Sequence, residues 1–492
     1  MRQATRHSGF RTLRRWSCAC VLFGTVLGLR VPAQAQEMHL EDAIRSALDN
    51  SIAIKRQDSK IIGAAGLLKE AAGAFDWSVE SADGWQKLFV PLGVNGFLSS
   101  QTRTASVWVT SINAGRTFRN GLEIRPGVTL YPASGLTTAQ TFGLTHIRPV
   151  LGFKIPLLRG LGEENADAPE LAARDALKGT HLQRSFVAEQ VVATTVETFW
   201  RCLAVEQHKK IFIESDHDAA DYEAWMNLMA KRGLLEPSVA QATAGKAATR
   251  HLNLTKADDD VQLCRRDLGL AVRGVADDPL PVPAGDLPEI DGMGPSVDGL
   301  DEAALVSLAL DRRDDFKALQ RLVDAEHDKL RGAQNGLLPR LDIQLDPYQA
   351  TLTYTQSLEN TSAEGLVSAT AAAENEARLN MQQLQNDIRS QVGDALRDLR
   401  RARSAWVVLT DSDRQLESVV ADMKKRVAFG TTDRGQYADT LDQLAEIRHS
   451  LVDAKLQFAS SLAELRLATG SVDLEAASPE AIVASFHTLP SP

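Results

Sequence analysis

Asp216-His217-Asp218 brings together three groups of the kind that bind a metal or move a proton. At adjacent positions of a helix, however, they fan away from one another, whereas metal ligands on one face need a spacing of i and i+4. The run reads as a solvated helix face. His181, His208, His251, His327 and His449 stand isolated in the sequence and read the same way. No phosphate loop of the GxxxxGK[ST] type and no GxSxG elbow occurs. The expectation is therefore no catalytic residue, no cofactor and no metal ligand, and a hydrolase or metalloenzyme has no supporting site.

What the chain does carry is a scaffold. Ile388, Val392, Ala395, Leu399, Ala402, Trp406 and their successors to Val427 recur at alternating steps of four and three, a coiled-coil seam broken only by Asp413. Helix is expected from about Ser362 to Phe429, a rod of roughly 100 Å at about 1.5 Å per residue. Past Gly430, Leu444, Leu451, Phe458 and Leu465 repeat every seven residues to about Thr469, so a long helix, a tight turn and a returning helix form an antiparallel hairpin.

Composition bounds the rest. The first 35 residues hold six Arg and no acid: a basic stretch to Arg15, an apolar run Trp16 to Leu29, and Ala33-Gln34-Ala35 as a small-x-small site. This predicts a signal peptide, 1–35, cleaved after Ala35. Cys18 and Cys20 open the apolar run rather than follow it, which disfavours lipid attachment. Losing the leader takes the net charge from -10 to -16, which argues against a nucleic-acid partner. Cys202 and Cys264 remain; counted from the turn near Gly233 they lie about 30 and 25 residues along opposite helices, a mismatch of roughly 7 Å that argues against a disulfide. No later apolar run reaches the roughly 20 residues of a membrane helix, so any crossing must be made of strands.

The chain repeats itself. Ala47-Leu48-Asp49 recurs as Ala309-Leu310-Asp311 at an offset of 262, and Glu197, Gly233 and Leu268 fall on Asp394, Gly430 and Leu465 at an offset of 197. The first copy occupies 36–275 and the second 300–470, with a Pro- and Gly-rich linker, 276–299, and a tail, 471–492, both expected to cross at mid-rod. In copy one the expected helices are Leu40 to Gly73, Pro169 to Arg232 and Ser238 to Arg273. The two short ones, about 105 Å end to end, match the long one at about 96 Å. Between them, Ser78 to Leu157 alternates with period two: Leu122, Ile124, Val128 and Leu130 on one side, Leu151, Phe153 and Ile155 in a second strand, and Ala105 to Asn113 as a further one. The matching space in copy two, Leu341 to Ser357, offers two strands of about five residues, short of the 9 to 11 that span a bilayer.

With these features the sequence resembles the TolC family of bacterial outer-membrane efflux channels. The resemblance rests on the two LEDA-like helix starts, on Ile155-Pro156-Leu157-Leu158-Arg159-Gly160 entering the long helix, on Leu358-Glu359-Asn360 at the matching place in copy two, and on the hairpins turning at Gly233 and Gly430. It implies a mainly α fold with a β-barrel part: long helical hairpins forming an α-barrel tunnel, and four membrane strands per protomer in one barrel shared by a homotrimer. The stunted strands of copy two depart from that pattern. The implied setting is the outer membrane and its lipid, with a large periplasmic portion that meets a periplasmic adaptor protein and an inner-membrane pump.

The two turns are where the resemblance places adaptor docking: Gly233, Leu234 and Leu235 in copy one, Gly430, Thr431 and Thr432 in copy two. Plain helix punctuation accounts for the glycines alone, since Gly accepts the positive φ that ends a helix. Just past the second turn, Asp439 stands where the family has a constricting acidic ring, with Gln436 in place of the companion acid and Asp442 one turn on. Copy one has Val239 and Ala242 at the equivalent places, so a ring would use one set of acids per protomer; a solvated face is the alternative. The expected function is a passive outer-membrane conduit of a tripartite export or efflux system, and its rival a periplasmic coiled-coil scaffold that does not span the membrane.

Overall fold

The computed structural model describes residues 37–94, 97–131, 146–275, 279–288, 297–429, 431, 433–472, 474 and 478–490. The leader 1–35 with its cleavage site, Gly430 and Thr432 lie outside the described residues, as do parts of the linker and tail.

Strand β1 (Glu37–Met38) leads into α1 (Leu40–Asn50) and α2 (Ile52–Gly73), followed by four strands, β2 (Ser78–Val94), β3 (Phe97–Thr117), β4 (Glu123–Tyr131) and β5 (His146–Pro156). A short α3 (Glu163–Ala166) precedes the hairpin of α4 (Ala168–Lys231) and α5 (Pro237–Arg273). After β6 (Val282–Pro283), which pairs in parallel with β1, the order recurs: α6 (Glu302–Arg312), α7 (Asp314–Asn335), β7 (Arg340–Asp346), β8 (Gln349–Thr355), then the hairpin of α8 (Thr361–Ala428) and α9 (Arg434–Ala468). A last helix, α10 (Pro479–Phe486), packs against α1.

The helical expectations hold to within a residue or two, with one correction. Leu40 to Gly73 is not one helix: it breaks at Ser51, which turns to φ -53, ψ 122 and accepts a hydrogen bond from the Ile54 amide. Arg313 makes the same break between α6 and α7 at φ -60, ψ 121. The two breaks are 262 residues apart, the offset of the repeat. A kink without Pro or Gly needs support from outside its helix, and Arg313 has it. Its buried guanidinium pairs bidentately with Asp315 at 2.7 and 3.0 Å, donates to Gln391 Oε1 at 2.6 Å and lies over the Phe186 ring. Gly470, at φ +61, lets the end of α9 approach: a Cβ there would meet the Arg313 amide nitrogen at 3.0 Å.

Two apolar cores form where each kinked short helix meets a long hairpin. One joins Ile44 of α1, Phe199 and Trp200 of α4, Leu268 of α5 and Phe486 of α10; the other joins Leu305 of α6, Leu396 and Leu399 of α8 and Phe458 of α9. The α8 seam is buried from Ile388 to Trp406 but only half-buried from Leu409 to Val427, because below the cores none of the described residues covers its second side.

Cys202 and Cys264 are bonded, with Cα atoms 5.5 Å apart and both side chains buried. This overturns the expectation from the count along the helices. The returning helix begins at Pro237, so the cysteines lie 29 and 27 residues from their ends of the turn, an offset of about 3 Å that a slight tilt absorbs.

The strands differ from expectation in number. Among the described residues copy one supplies four rather than two or three, and copy two's strands have seven residues each, joined by the tight turn Pro347-Tyr348. All six lie in one antiparallel sheet in the order β2-β3-β4-β5-β7-β8, so the resemblance's four strands per protomer become six.

Candidate channel wall and hairpin tips

Because side chains alternate across a strand, the register fixes two faces. Val79 opposes Ala114, Ile112 opposes Val128, and Ile124, Phe153 and Leu345 follow across β4, β5 and β7. The exposed large apolar side chains of the strands fall on this one face, among them Val79, Trp85, Ile112, Val128, Leu151 and Leu352. Trp85 and Trp108 sit directly opposite one another on it. The other face is polar: Glu123 pairs with Arg125 at 2.6 Å and Lys154 with Asp342 at 3.4 Å, beside a concavity of 390 Å³ that Glu80, Asn113 and Gln344 help to line. An exposed apolar face backed by a polar concave one is the arrangement of a barrel wall that meets lipid outside and water inside.

At the other end of the rods, Gly233 takes φ +69, its amide donates to Ala230 O at 3.0 Å and the Leu234 amide donates to Met229 O at 3.0 Å. Both bonds of a Schellman cap are present. The Thr431 amide makes the matching bond to Arg426 O at 2.9 Å. Leu234 and Thr431 are exposed and Leu235 is half-buried. Sequence reasoning passed over Phe429, which stands 82% exposed beside the second turn; an aromatic residue immediately before a helix-ending Gly was the available signal.

Asp439 and Asp442 lie on α9 facing α5, where Asp439 meets Lys246 at 3.6 Å and Asp442 meets Arg250 at 2.8 Å. They border a 70 Å³ cavity closed on its far side by Ser215, Asp218 and Tyr222 of α4. Burial raises the Asp218 carboxyl and the Tyr222 phenol above their usual ranges. Nearby, Arg448 of α9 reaches Asp413 at 3.2 Å and Glu417 at 3.4 Å on α8, and Glu214 at 3.4 Å on α4.

His208 and His449 do not stand alone on a solvated face, which corrects the sequence reading for that pair. His208 of α4 and His449 of α9 share an Nδ1 to Nδ1 contact of 2.8 Å, and His208 Nε2 lies 3.0 Å from Asp453 Oδ1. A carboxylate only accepts, so His208 Nε2 carries a proton, and one proton lies between the two Nδ1 atoms. Burial, then the neighbouring His208, pushes His449 down to about 4, and Phe212 packs on its ring. His251 meets Asp216 at 3.5 Å and His327 meets Glu374 at 3.1 Å. These pairs join helices distant in sequence, so no local pattern announced them. Among the described residues no group of three or more His, Cys, Asp or Glu is placed to hold a metal ion.

No family model matches the sequence, and no curated protein matches it. The fold, by contrast, is that of known channels. The Campylobacter jejuni CmeC outer membrane channel superposes with a TM-score of 0.62 at 11% identity, covering 91% of this chain and 89% of that one. The Vibrio cholerae outer membrane protein VceC gives 0.61 at 13% identity, over 88% and 96% of the two chains. The Neisseria gonorrhoeae MtrE outer membrane channel gives 0.59 at 11% identity, over 88% of each. This chain has the TolC-like fold of outer-membrane efflux channels.

Proposed function

We propose that the protein is a passive conduit across the outer membrane, assembled as a homotrimer, with its helical hairpins extending into the periplasm toward an adaptor protein and an inner-membrane pump. The observation that carries this reading is the sheet with one exposed apolar face and one polar face, rooted on paired helical rods. In water that apolar face would be a large uncovered patch; in a bilayer it is satisfied. The conduit has no energy source of its own, and opening is a rearrangement of packed helices near the tips. The tips, Gly233, Leu234 and Leu235 with Gly430, Thr431 and Thr432, are the proposed adaptor contacts. Asp439 and Asp442 are the proposed constriction: in this state Lys246 and Arg250 neutralise them, and parting α9 from α5 would release their charge toward the axis.

The rival reading, a periplasmic scaffold, leaves the apolar face without a partner. Membrane fractionation followed by light scattering of the detergent extract separates the two. The conduit reading expects outer-membrane recovery and a trimer; a water-soluble monomer would overturn it.

A further inference from the structure

The end of the rods far from the sheet departs from the acidic character of the chain. Over 225–240 and 422–436, the two turns with the helix ends beside them, six basic side chains stand against three acidic ones, a net +3. Lys231, Arg232, Lys424 and Lys425 are exposed, and none has an ion-pair partner among the described residues. Arg426 is paired with Asp422 at 2.7 Å.

Cations at the end of a helix complement its dipole, which accounts for Lys231, Arg232, Lys425 and Arg426. It does not account for Arg434, which opens α9 at a helix N-terminus, where a cation is unfavourable, and is held over the Trp225 ring at 5.1 Å. Nor does it account for the apolar residues set among these charges. A residue in the position of Leu234 commonly tucks back against the helix it caps, yet Leu234 is 71% exposed, and Phe429 is exposed beside the second turn.

The two turns also end at different heights. Lys246 of α5 meets Asp439 of α9; from that level α5 runs nine residues to its start at Pro237, and α9 runs five to its start at Arg434. Arg434 is level with Trp225, and α4 continues six residues beyond Trp225 to Lys231. By the helical rise, the first hairpin reaches about 6–9 Å beyond the second.

We propose that the tips dock a protein with an acidic surface, stepped to follow the two turns and recessed to take Leu234 and Phe429. This rests on the reading of the turns as partner contacts and adds the chemistry of the partner. The apolar side chains are the anchors, and the cations around them steer the encounter and fix its register. Basic and apolar groups together also suit an anionic bilayer. The step favours a protein: a flat surface that meets Leu234 stays about one helical turn from Phe429, whereas a stepped one meets both turns and all four unpaired cations.

The test uses the full chain in the cell envelope. p-Benzoylphenylalanine placed at Phe429, and separately at Leu234, links photochemically to whatever the tip touches, and mass spectrometry reads the adduct. The expected adduct is a protein segment with more Asp and Glu than Lys and Arg. Its yield is expected to fall about tenfold between roughly 50 and 500 mM NaCl, because exposed charges are screened. Lys231→Glu, Arg232→Glu, Lys424→Glu and Lys425→Glu together are expected to lower the yield about as far, whereas Lys231→Arg, Lys424→Arg and Lys425→Arg keep it. The salt series on the parent needs no variant to fold. A neutral or basic linked segment, a yield indifferent to salt and to charge reversal, or no protein adduct overturns the inference. A phospholipid adduct overturns it in favour of the bilayer. These outcomes leave the conduit reading intact where the parent is recovered from the outer membrane as a trimer. A soluble monomer overturns the conduit reading, and an acidic linked segment would still support the inference.

Discussion

Asp413 of α8 lies 3.2 Å from Arg448 of α9, and that contact accounts for the one polar residue in an otherwise apolar heptad seam. The same guanidinium reaches Glu214 of α4 at 3.4 Å, so the break in the seam is also a point where the two hairpins are tied together. Both partners are partly exposed, which limits the pair to about 1 kcal/mol or less. Arg448→Ala is expected to lower the thermal midpoint by a few degrees at most, because it leaves Asp413 and Glu214 unpaired. Asp413→Leu, which restores the heptad, is expected to leave the midpoint unchanged or raise it. Far-UV circular dichroism melts of the two variants check the order; a larger loss from Asp413→Leu would contradict it.

The Cys202–Cys264 bond closes 62 residues of chain, and in the chain-entropy account a loop of that size stabilises by about 4 kcal/mol. Replacing both cysteines with Ser is expected to lower stability by roughly 2–4 kcal/mol without altering the fold, since the hairpin keeps its apolar packing. Thiol alkylation under denaturing, non-reducing conditions should label neither residue in the parent. Labelling of both would remove the bond from the account.

Leu234→Asp together with Leu235→Asp is expected to abolish crosslinking to the proposed adaptor while leaving the melting curve nearly unchanged, because an exposed turn contributes little to stability. Phe429→Ser, at the other tip, is expected to weaken the same crosslink. Retention of full crosslinking in both variants would return the turns to simple helix punctuation.

How much of this was legible in the sequence depends on whether the signal is local. The seam from Ile388 onward fixes α8 because a periodic pattern sustained over many turns has one reading, and the repeat offsets place the turns. Strand number was less legible: Gln86 to Arg103 mixes Lys87, Pro91, Gly93 and Ser99-Ser100 with apolar residues, so no clean alternation marks the outer halves of β2 and β3. The kinks at Ser51 and Arg313 lack Pro or Gly, although Asp314-Asp315 after Arg313 resembles the acidic first turn of a new helix. The contact of His208 with His449 spans 241 residues and is created only by packing α4 on α9. The disulfide was misjudged through a small error in where a helix begins, magnified by the rise per residue.

Asp439 and Asp442 face Lys246 and Arg250 in this state, so the charge presented to a passing ion depends on both signs. Replacing the acids with Asn is expected to lower cation selectivity in planar-bilayer recordings and to remove block by trivalent cations, since the proposed trimer would bring three sets of carboxylates together and such a ring attracts cations. Replacing Lys246 and Arg250 with Gln is expected to do the reverse, strengthening both. If the parent conducts and neither double variant changes selectivity, these four residues only decorate a solvated face.

Stability is expected to be greatest at about pH 5 to 6, where two opposed linkages offset each other, and to fall on either side for two separate reasons. His449 is pushed down to about 4 in the folded protein against about 6.5 when unfolded. The unfolded chain therefore binds the extra proton first, and stability is lost as pH falls from about 6.5 to 4. The geometry gives the cause: His208 of α4 and Arg250 of α5 oppose added positive charge, Asp453 alone favours it, and a second proton between the Nδ1 atoms would set two N–H groups against each other. Glu189 behaves oppositely. Buried in α4 near Asp314 and Asp315, with Oε2 unpaired among the described residues, it is pushed up to about 8. The folded state holds its proton where the unfolded state has lost it, so stability falls as pH rises from about 4.5 to 8. His449→Gln is expected to flatten the acid limb of the melting-temperature profile and Glu189→Gln the alkaline limb, the latter by on the order of 1 kcal/mol or more at pH 9. Each variant should leave the other limb in place; a profile in which either substitution moves both limbs would mean that the two sites are coupled through α4 rather than independent.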